Sequence, residues 1–461
     1  MRKQVSIILF ILFSLALEAQ VVPATLDKPK PNSHKSVVAT GINPAVIKRI
    51  KTVTFATIDS IAKDGIVNKV YPGCQVLVLK EGKPIYNKCF GYLTYKKTEK
   101  VIPTTMYDLA SLSKTTGTLL AVMKLYDDKK LSLTDKASMY LPFLKGTDKE
   151  NITITELLFH ESGLAASLPF YKMVIEQIKT KHTKKSSSHK RQKEHNPVGE
   201  VTVIYKEGWV SKTYSDDYTI HVAENFYVNN RFHDEAMQMI ARSRLNAKVY
   251  CYSDVNFMLL KEIVESISGK TLNVFLNDGF YTPMKLDYLT YLPLQSHKKD
   301  EIAPTLENDV LRGKTLQGYV HDGSAAFMGG ISGNAGLFAD AADVAKVYQM
   351  ILNGGEIDGI RYISQETCRV FTTTTSVSGR RGLGYDKPVP TNPRINPCCI
   401  SAPITVFGHT GYTGTCCWVD PINKLVFVFL SNRVYPNDAV NKLSRMQIRS
   451  KIQEVMYQSI M

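Results

Sequence analysis

The order of elements along the chain predicts an α/β fold of the α+β kind: one antiparallel sheet, flanked by N- and C-terminal helices, joined to a mainly helical lobe. Three observations predict it. A hairpin pattern comes early, at Cys74 to Tyr95; amphipathic helices fill the middle; strand-like runs and a last amphipathic helix close the chain. Strands from both ends must then share one sheet. The sheet lobe is therefore discontinuous, residues 44–107 with 340–461, around a mainly helical lobe at 108–339. No repeat period is present, which excludes solenoids and propellers.

The elements follow in order. Residues 1–19 read as a secretory signal, with Arg2 and Lys3 ahead of an apolar run from Val5 to Leu17 and cleavage expected after Ala19. The other reading of the same run is an uncleaved anchor. No later apolar stretch approaches the ~18 residues of a membrane span, so cleavage would leave a periplasmic or extracellular protein with no integral span. Residues 20–43 are rich in Pro, Lys and Ser and read as a linker. Apolar residues at helical spacing follow from Ile47 to Ile61, then the hairpin. Helices are predicted over Ser111–Tyr126, Asp254–Ile267 and Ala341–Leu352, the last stopped by Gly354-Gly355. Val406 to Val434 contains two strand-like runs around Asp420-Pro421-Ile422-Asn423, and a helix is expected from Asn437 to about Gln458.

The 461 residues carry a formal charge of +15, and part of the excess sits in 179–193, which has no apolar periodicity. That stretch reads as a solvated loop; the sharper reading is attraction to an anionic envelope polymer. Export argues against nucleic acid as a partner. Export also permits disulfides among the eight cysteines. A two-residue turn at Glu81-Gly82 would place Cys74 opposite Cys89, which predicts a cross-strand bridge. Cys398-Cys399 and Cys416-Cys417 are vicinal, and no paired Cys-x-x-Cys exists, which argues against a zinc site.

Ser-x-x-Lys occurs four times, at Ser60, Ser111, Ser187 and Ser296. Only Ser111 opens a helix, where free N–H groups favour developing negative charge and Lys114 lies on the same face one turn on. A serine hydroxyl needs a base within hydrogen-bond reach, and a lysine can serve only where its charge is disfavoured. The pattern that accompanies Ser-x-x-Lys, a Ser-Asp-Asn-like element and then Lys-Thr-Gly, has counterparts in Tyr252-Ser253-Asp254 and His409-Thr410-Gly411.

Together with Ile152 to Leu164 and Gly333 to Phe338 with Asp343, these segments resemble the class C β-lactamase, penicillin-binding carboxypeptidase and esterase family over roughly residues 44 to 458. The resemblance implies a sheet lobe against a helical lobe with Ser111 in the cleft. It implies Ser111 as nucleophile, Lys114 as its proton partner, and Tyr252 as general base and later acid. The N–H groups of Ser111 and Tyr412 would form the oxyanion hole.

Two departures matter. Asp254 stands where the family usually has Asn; its carboxylate would hold Lys114 charged and shift the base role toward Tyr252. A second registration makes Ser253 the proton relay. His409 stands where Lys often supplies positive charge toward a substrate carboxylate, and an imidazole of pKa ~6.5 supplies it part of the time. This weakens the β-lactamase alternative.

Other signals carry less. His321-Asp322 are adjacent, and neighbours on an extended segment point apart; no Gly-x-Ser-x-Gly elbow exists. His160 is expected to fix the loop of Ser162-Gly163-Leu164. Gly269-Lys270-Thr271 and Gly313-Lys314-Thr315 lack the earlier glycine of a phosphate loop, and no His-Glu-x-x-His occurs, so no cofactor or metal is expected. The expected function is an exported serine hydrolase acting through an acyl-enzyme on a cell-wall peptide or a small-molecule ester. A non-catalytic binding module on the same scaffold is the alternative of another class.

Overall fold

The computed structural model describes residues 54–180, 201–377 and 380–460. The expected signal and linker, the start of the first helix before Thr54, and most of the basic 179–193 stretch lie outside the described residues.

Five antiparallel strands form the main sheet: β1 Gly73–Lys80, β2 Lys83–Gly91, β3 Phe407–Thr410, β4 Cys416–Asp420 and β5 Leu425–Ser431, in the order β3-β4-β5-β1-β2. Both chain ends meet at the pairing of β1 with β5. The 406–434 region thus holds three strands where two runs were expected; the third, β3, is only four residues long and carries Gly408, His409 and Thr410, which weaken its alternation in sequence.

Side chains alternate across this sheet with period two. Val76 and Val78 of β1 and Phe427 and Phe429 of β5 face helix α1, Ala56–Val67, and helix α5, Ile448–Ile460, through Ile58, Ile452 and Tyr457. Leu77, Val426, Val428 and Leu430 face the other way, into the larger core with Val344, Val347 and Met350 of helix α4, Ala341–Leu352. The final helix is broken: a short turn at Lys442–Arg445 precedes α5, and Gln447 between them lies at φ +53°.

The expected Cys74–Cys89 bridge is absent, and both thiols are free. The turn at Glu81-Gly82 is as expected, with Lys80 opposite Lys83 and Leu79 opposite Pro84. Val78 then pairs with Tyr86, so Ile85 is an extra residue next to a proline that has no N–H to give the ladder. The one-residue slip sets Cys74 opposite Phe90 and Cys89 opposite Gln75. It also sends the two thiols to opposite faces, Cys74 toward α1 and α5 and Cys89 toward the larger core.

The second layer of the molecule centres on helix α2, Leu119–Asp127, and helix α3, Asp254–Ser268, which Gly269 ends at φ +66°. Between them, residues 175–228 contribute a two-stranded pairing of Ile175–Thr180 with Val201–Tyr205 and a small sheet of Val210–Ser211, Phe226–Val228 and Ile220–Ala223. The Thr153-Ile-Thr-Glu156 stretch is a capping box, each side chain bonding the other's backbone N–H. No described helix is long and apolar enough to cross a membrane.

Candidate active site

Ser111 sits where strand Tyr107–Asp108 gives way to helix, and the local backbone is forced. Ala110 lies in the left-handed region at φ +46°, a conformation costly for a residue with a Cβ. Asp108 holds it there by accepting the Ala110 N–H at 2.8 Å through Oδ1, while Oδ2 accepts the His321 N–H at 2.6 Å. Burial pushes the Asp108 carboxyl up to about 6. The helix after Ser111 begins as a 3₁₀ turn at Ala110–Leu112, widens to a π turn at Lys114–Thr118 and only then becomes α2, a local rewinding common at functional sites.

Ser111 Oγ, Lys114 and Tyr252 converge. Lys114 Nζ donates to Ser111 Oγ at 3.0 Å, and Tyr252 Oη donates to the same oxygen at 2.9 Å. The lysine is fully buried, and its other donors go to Asp254 Oδ1 at 2.6 Å and to the Asn334 carbonyl at 3.0 Å. Its ammonium also lies 5.0 Å from the Tyr252 ring centre. Burial opposes the charge, but Asp254 and Tyr252 together outweigh it and raise the lysine above its ordinary range. Burial pushes the Tyr252 phenol up to about 12 against the opposing pull of Lys114. The resting pair is thus ammonium and neutral phenol.

Of the two registrations weighed from sequence, the geometry brings Tyr252 to Ser111, whereas Ser253 Oγ donates to the Ala165 carbonyl at 2.6 Å. His160 brackets Tyr252 from behind. Its carbonyl accepts the Cys251 N–H at 2.8 Å, its Nδ1 accepts the Ser253 N–H at 3.0 Å, and its ring lies 4.6 Å from that of Tyr252. Ser162 and Asn256 tie the same loop to α3.

His409 does not supply the expected positive charge. It is 2% exposed, and its Nδ1 faces the Thr410 carbonyl at 2.7 Å while its Nε2 faces Arg381 Nη2 at 3.3 Å. Donation from Nδ1 and acceptance at Nε2 fix a neutral ring. Burial and the Arg381 charge lower its pKa to about 3. The cations here are Arg381, paired with Asp386 Oδ1 at 2.7 Å, and Arg380, which ion-pairs with the same carboxylate and lies over the Tyr250 ring. Neither arginine has a signal in sequence, since both reach β3 from a loop 28 residues before His409 or more. Asn334 was visible only as part of a resembling segment, because it acts through its backbone.

Thr410, Gly411 and Tyr412 close the site from β3. The Thr413 and Thr415 hydroxyls donate to the carbonyls of Asp108 and Leu109 at 2.6 and 2.9 Å, clamping the β3–β4 turn to the segment before Ser111. Gly411 is required: a Cβ there would stand 2.0 Å from Thr415 Oγ1 and 2.3 Å from the Leu109 oxygen. Among the described residues no acceptor is found for the N–H of Ser111 or of Tyr412. His321 and Asp322 point apart, as expected. The His321 ring stacks on Tyr412 at 5.5 Å, whereas Asp322 caps the helix Gly323–Phe327.

A sheet flanked by helices on both faces, with a buried Ser-x-x-Lys at the helical side, defines the class as a serine hydrolase of the β-lactamase and penicillin-binding-protein kind. Residues 58–448 match the family model described as Beta-lactamase, and the chain belongs to that family. A protein of Escherichia coli (strain K12) named "Putative D-alanyl-D-alanine carboxypeptidase" is 29% identical over 395 residues, 79% of each chain. One of Bacillus subtilis (strain 168) named N-acetylmuramyl-L-alanine amidase is 29% identical over 442 residues, 89% of each. Among solved structures, a penicillin-binding protein homologue from Caulobacter crescentus superposes with a TM-score of 0.59 at 15% identity, covering 88% of this chain and 97% of that one. EstCE1, a hydrolase with promiscuous acyltransferase activity, superposes with 0.59 at 17% identity, covering 88% and 100%. These two likenesses are of fold.

Proposed function

We propose that this chain is an exported serine hydrolase that forms an acyl-enzyme on Ser111 with an ester or amide carbonyl, a D-amino-acid peptide of the cell wall being its first substrate class and a simple ester its second. The observation that carries the reading is the meeting of Lys114 and Tyr252 on one hydroxyl oxygen within 3.0 Å, in a pocket where the lysine is fully buried. The names of the carboxypeptidase and amidase relatives support a cell-wall peptide. The signal-like residues 1–19 support export.

The steps follow from the protonation states. The reacting form is the minor one in which Tyr252 has released its proton to solvent: as Ser111 Oγ bonds to the carbonyl carbon, its proton passes to the phenolate Oη, and Lys114, held charged by Asp254, stabilises that phenolate and the serine oxygen as it gives up its proton. Tyr252 delivers a proton to the leaving nitrogen or oxygen, and later draws one from the water that hydrolyses the ester. A terminal substrate carboxylate would meet Arg380, whose side chain is 20% exposed, and not the neutral His409. The test is turnover of a peptide ending in D-alanyl-D-alanine beside a p-nitrophenyl ester. The reading expects D-alanine release that is lost in Tyr252→Phe and weakened at least tenfold in Arg380→Gln, with ester turnover unaffected by the Arg380 change. No release of either product would overturn it.

A further inference from the structure

The turn that carries the Tyr412 N–H is held from behind by two arginines, Arg433 and Arg449; the carboxylate of Asp438, which accepts the Tyr412 hydroxyl at 3.1 Å, favours the charge of Arg433 from outside ion-pair distance. Arg433, 5% exposed and two residues beyond β5, donates through Nε to the Tyr412 carbonyl at 2.7 Å, and its guanidinium lies 4.2 Å from the Tyr412 ring centre. Its buried Nη1 has no hydrogen-bond partner. Arg449, on the first turn of α5, donates through Nη1 to the Thr415 carbonyl at 2.8 Å and reaches the Gly411 carbonyl at 3.5 Å. Neither side chain has an acidic partner within 4 Å among the described residues. Burying a guanidinium whose neighbouring carboxylate is bonded to a tyrosine hydroxyl, and not to the guanidinium itself, is costly, so a fold that keeps it gains elsewhere.

The placement says where. The Gly411 carbonyl and the Tyr412 N–H belong to one peptide plane; the Tyr412 carbonyl belongs to the next. Arg449 grips the first plane and Arg433 the second, so the orientation of the Tyr412 N–H is set from both sides of its Cα. A cation bonded to a carbonyl also draws density from that amide and makes its N–H a better donor. The backbone bonds of the turn, Gly411 N–H to Thr415 O at 2.8 Å, Gly414 N–H to the Gly411 carbonyl at 3.1 Å and Arg433 N–H to Thr413 O at 2.9 Å, fix its shape but add no charge.

We propose that Arg433 and Arg449 are positioning residues of the oxyanion hole, Arg449 polarising the peptide that carries the Tyr412 N–H and Arg433 holding the next peptide in line, so that negative charge on the substrate oxygen is met by a preorganised donor. The inference rests on the Ser111 acyl-enzyme reading. No contact of either arginine with substrate is needed, and the effect is felt in the tetrahedral state rather than in substrate binding.

The experiment compares full-length wild type with Arg433→Met, Arg449→Met and Arg449→Lys. It follows kcat and KM on the preferred substrate, inhibition by phenylboronic acid and the melting temperature. Phenylboronic acid accepts the Ser111 oxygen on boron and forms a tetrahedral anion, so its affinity reports the oxyanion hole. For each methionine variant the expected result is a 10- to 100-fold fall in kcat with KM changed less than threefold, and a parallel loss of boronate affinity. Arg449→Lys, with one point donor for two carbonyls, should recover part of both. Boronate affinity at the wild-type level in folded methionine variants would overturn the proposal, as would equal losses in KM and boronate binding. Failure of the underlying reading looks different: wild type itself would then neither turn over substrate nor bind the boronate.

Discussion

At the residue scale the site turns on the exchange of an amide for a carboxylate at Asp254. Its 2.6 Å bond to Lys114 holds the ammonium and, through like charge, also raises the neighbouring phenol. Asp254→Asn removes both effects and keeps the shape. The rising acid limb of kcat/KM, which belongs to the Lys114–Tyr252 pair and not to either group alone, should therefore move to lower pH by about one to three units. A limb that stays in place, measured from pH 5 to 10, would contradict this. His409 gives a second prediction. Its folded pKa of about 3 lies below the unfolded value of ~6.5, so its contribution to stability is complete above pH 6.5 and lost as pH falls toward 3. Relative to His409→Gln, the wild type should lose on the order of 3 kcal/mol between pH 7 and pH 4, read by urea denaturation at each pH.

At the element scale the sheet is the frame and the β3–β4 turn is the part that touches chemistry. Phe429 and Ile452 lie fully buried between β5 and α5. Phe429→Ala should cost about 3–5 kcal/mol and Ile452→Ala about 2–5 kcal/mol in unfolding free energy, without shifting the pH profile of the remaining folded enzyme. Gly411→Ala has the opposite signature. A Cβ cannot fit against the Thr415 hydroxyl and the Leu109 oxygen, so the turn must move and Ser111 acylation should fall at least 100-fold. Near-normal acylation in that variant would show that the turn does not carry the oxyanion donor.

At the scale of the whole molecule, what was legible in sequence is what is local. Ser111 and Lys114 are one turn apart, and Ala341–Leu352 announces itself by period and by its glycine stop, so their expected form and their place agree with the structure. The discontinuous sheet was legible because β1 and β5 are strongly apolar strands at opposite ends of the chain. The hairpin register was not, because the extra residue at Ile85 depends on how Pro84 disturbs the ladder rather than on the turn that precedes it. Nor were Arg381, Arg433 and Arg449, whose roles lie in contacts with an imidazole and with backbone carbonyls far away in sequence. The neutrality of His409 was hidden for the same reason: its pKa is lowered by burial in the fold and by a guanidinium 28 residues earlier.

All three scales meet on one oxygen, and the measurement that tests this most directly is the intact mass of wild type and Ser111→Ala after incubation with a fluorophosphonate probe, followed by peptide mapping. The account predicts a single adduct on the peptide that contains Ser111, absent from the Ser111→Ala protein. An unmodified wild type, or an adduct that persists in the variant, would contradict it.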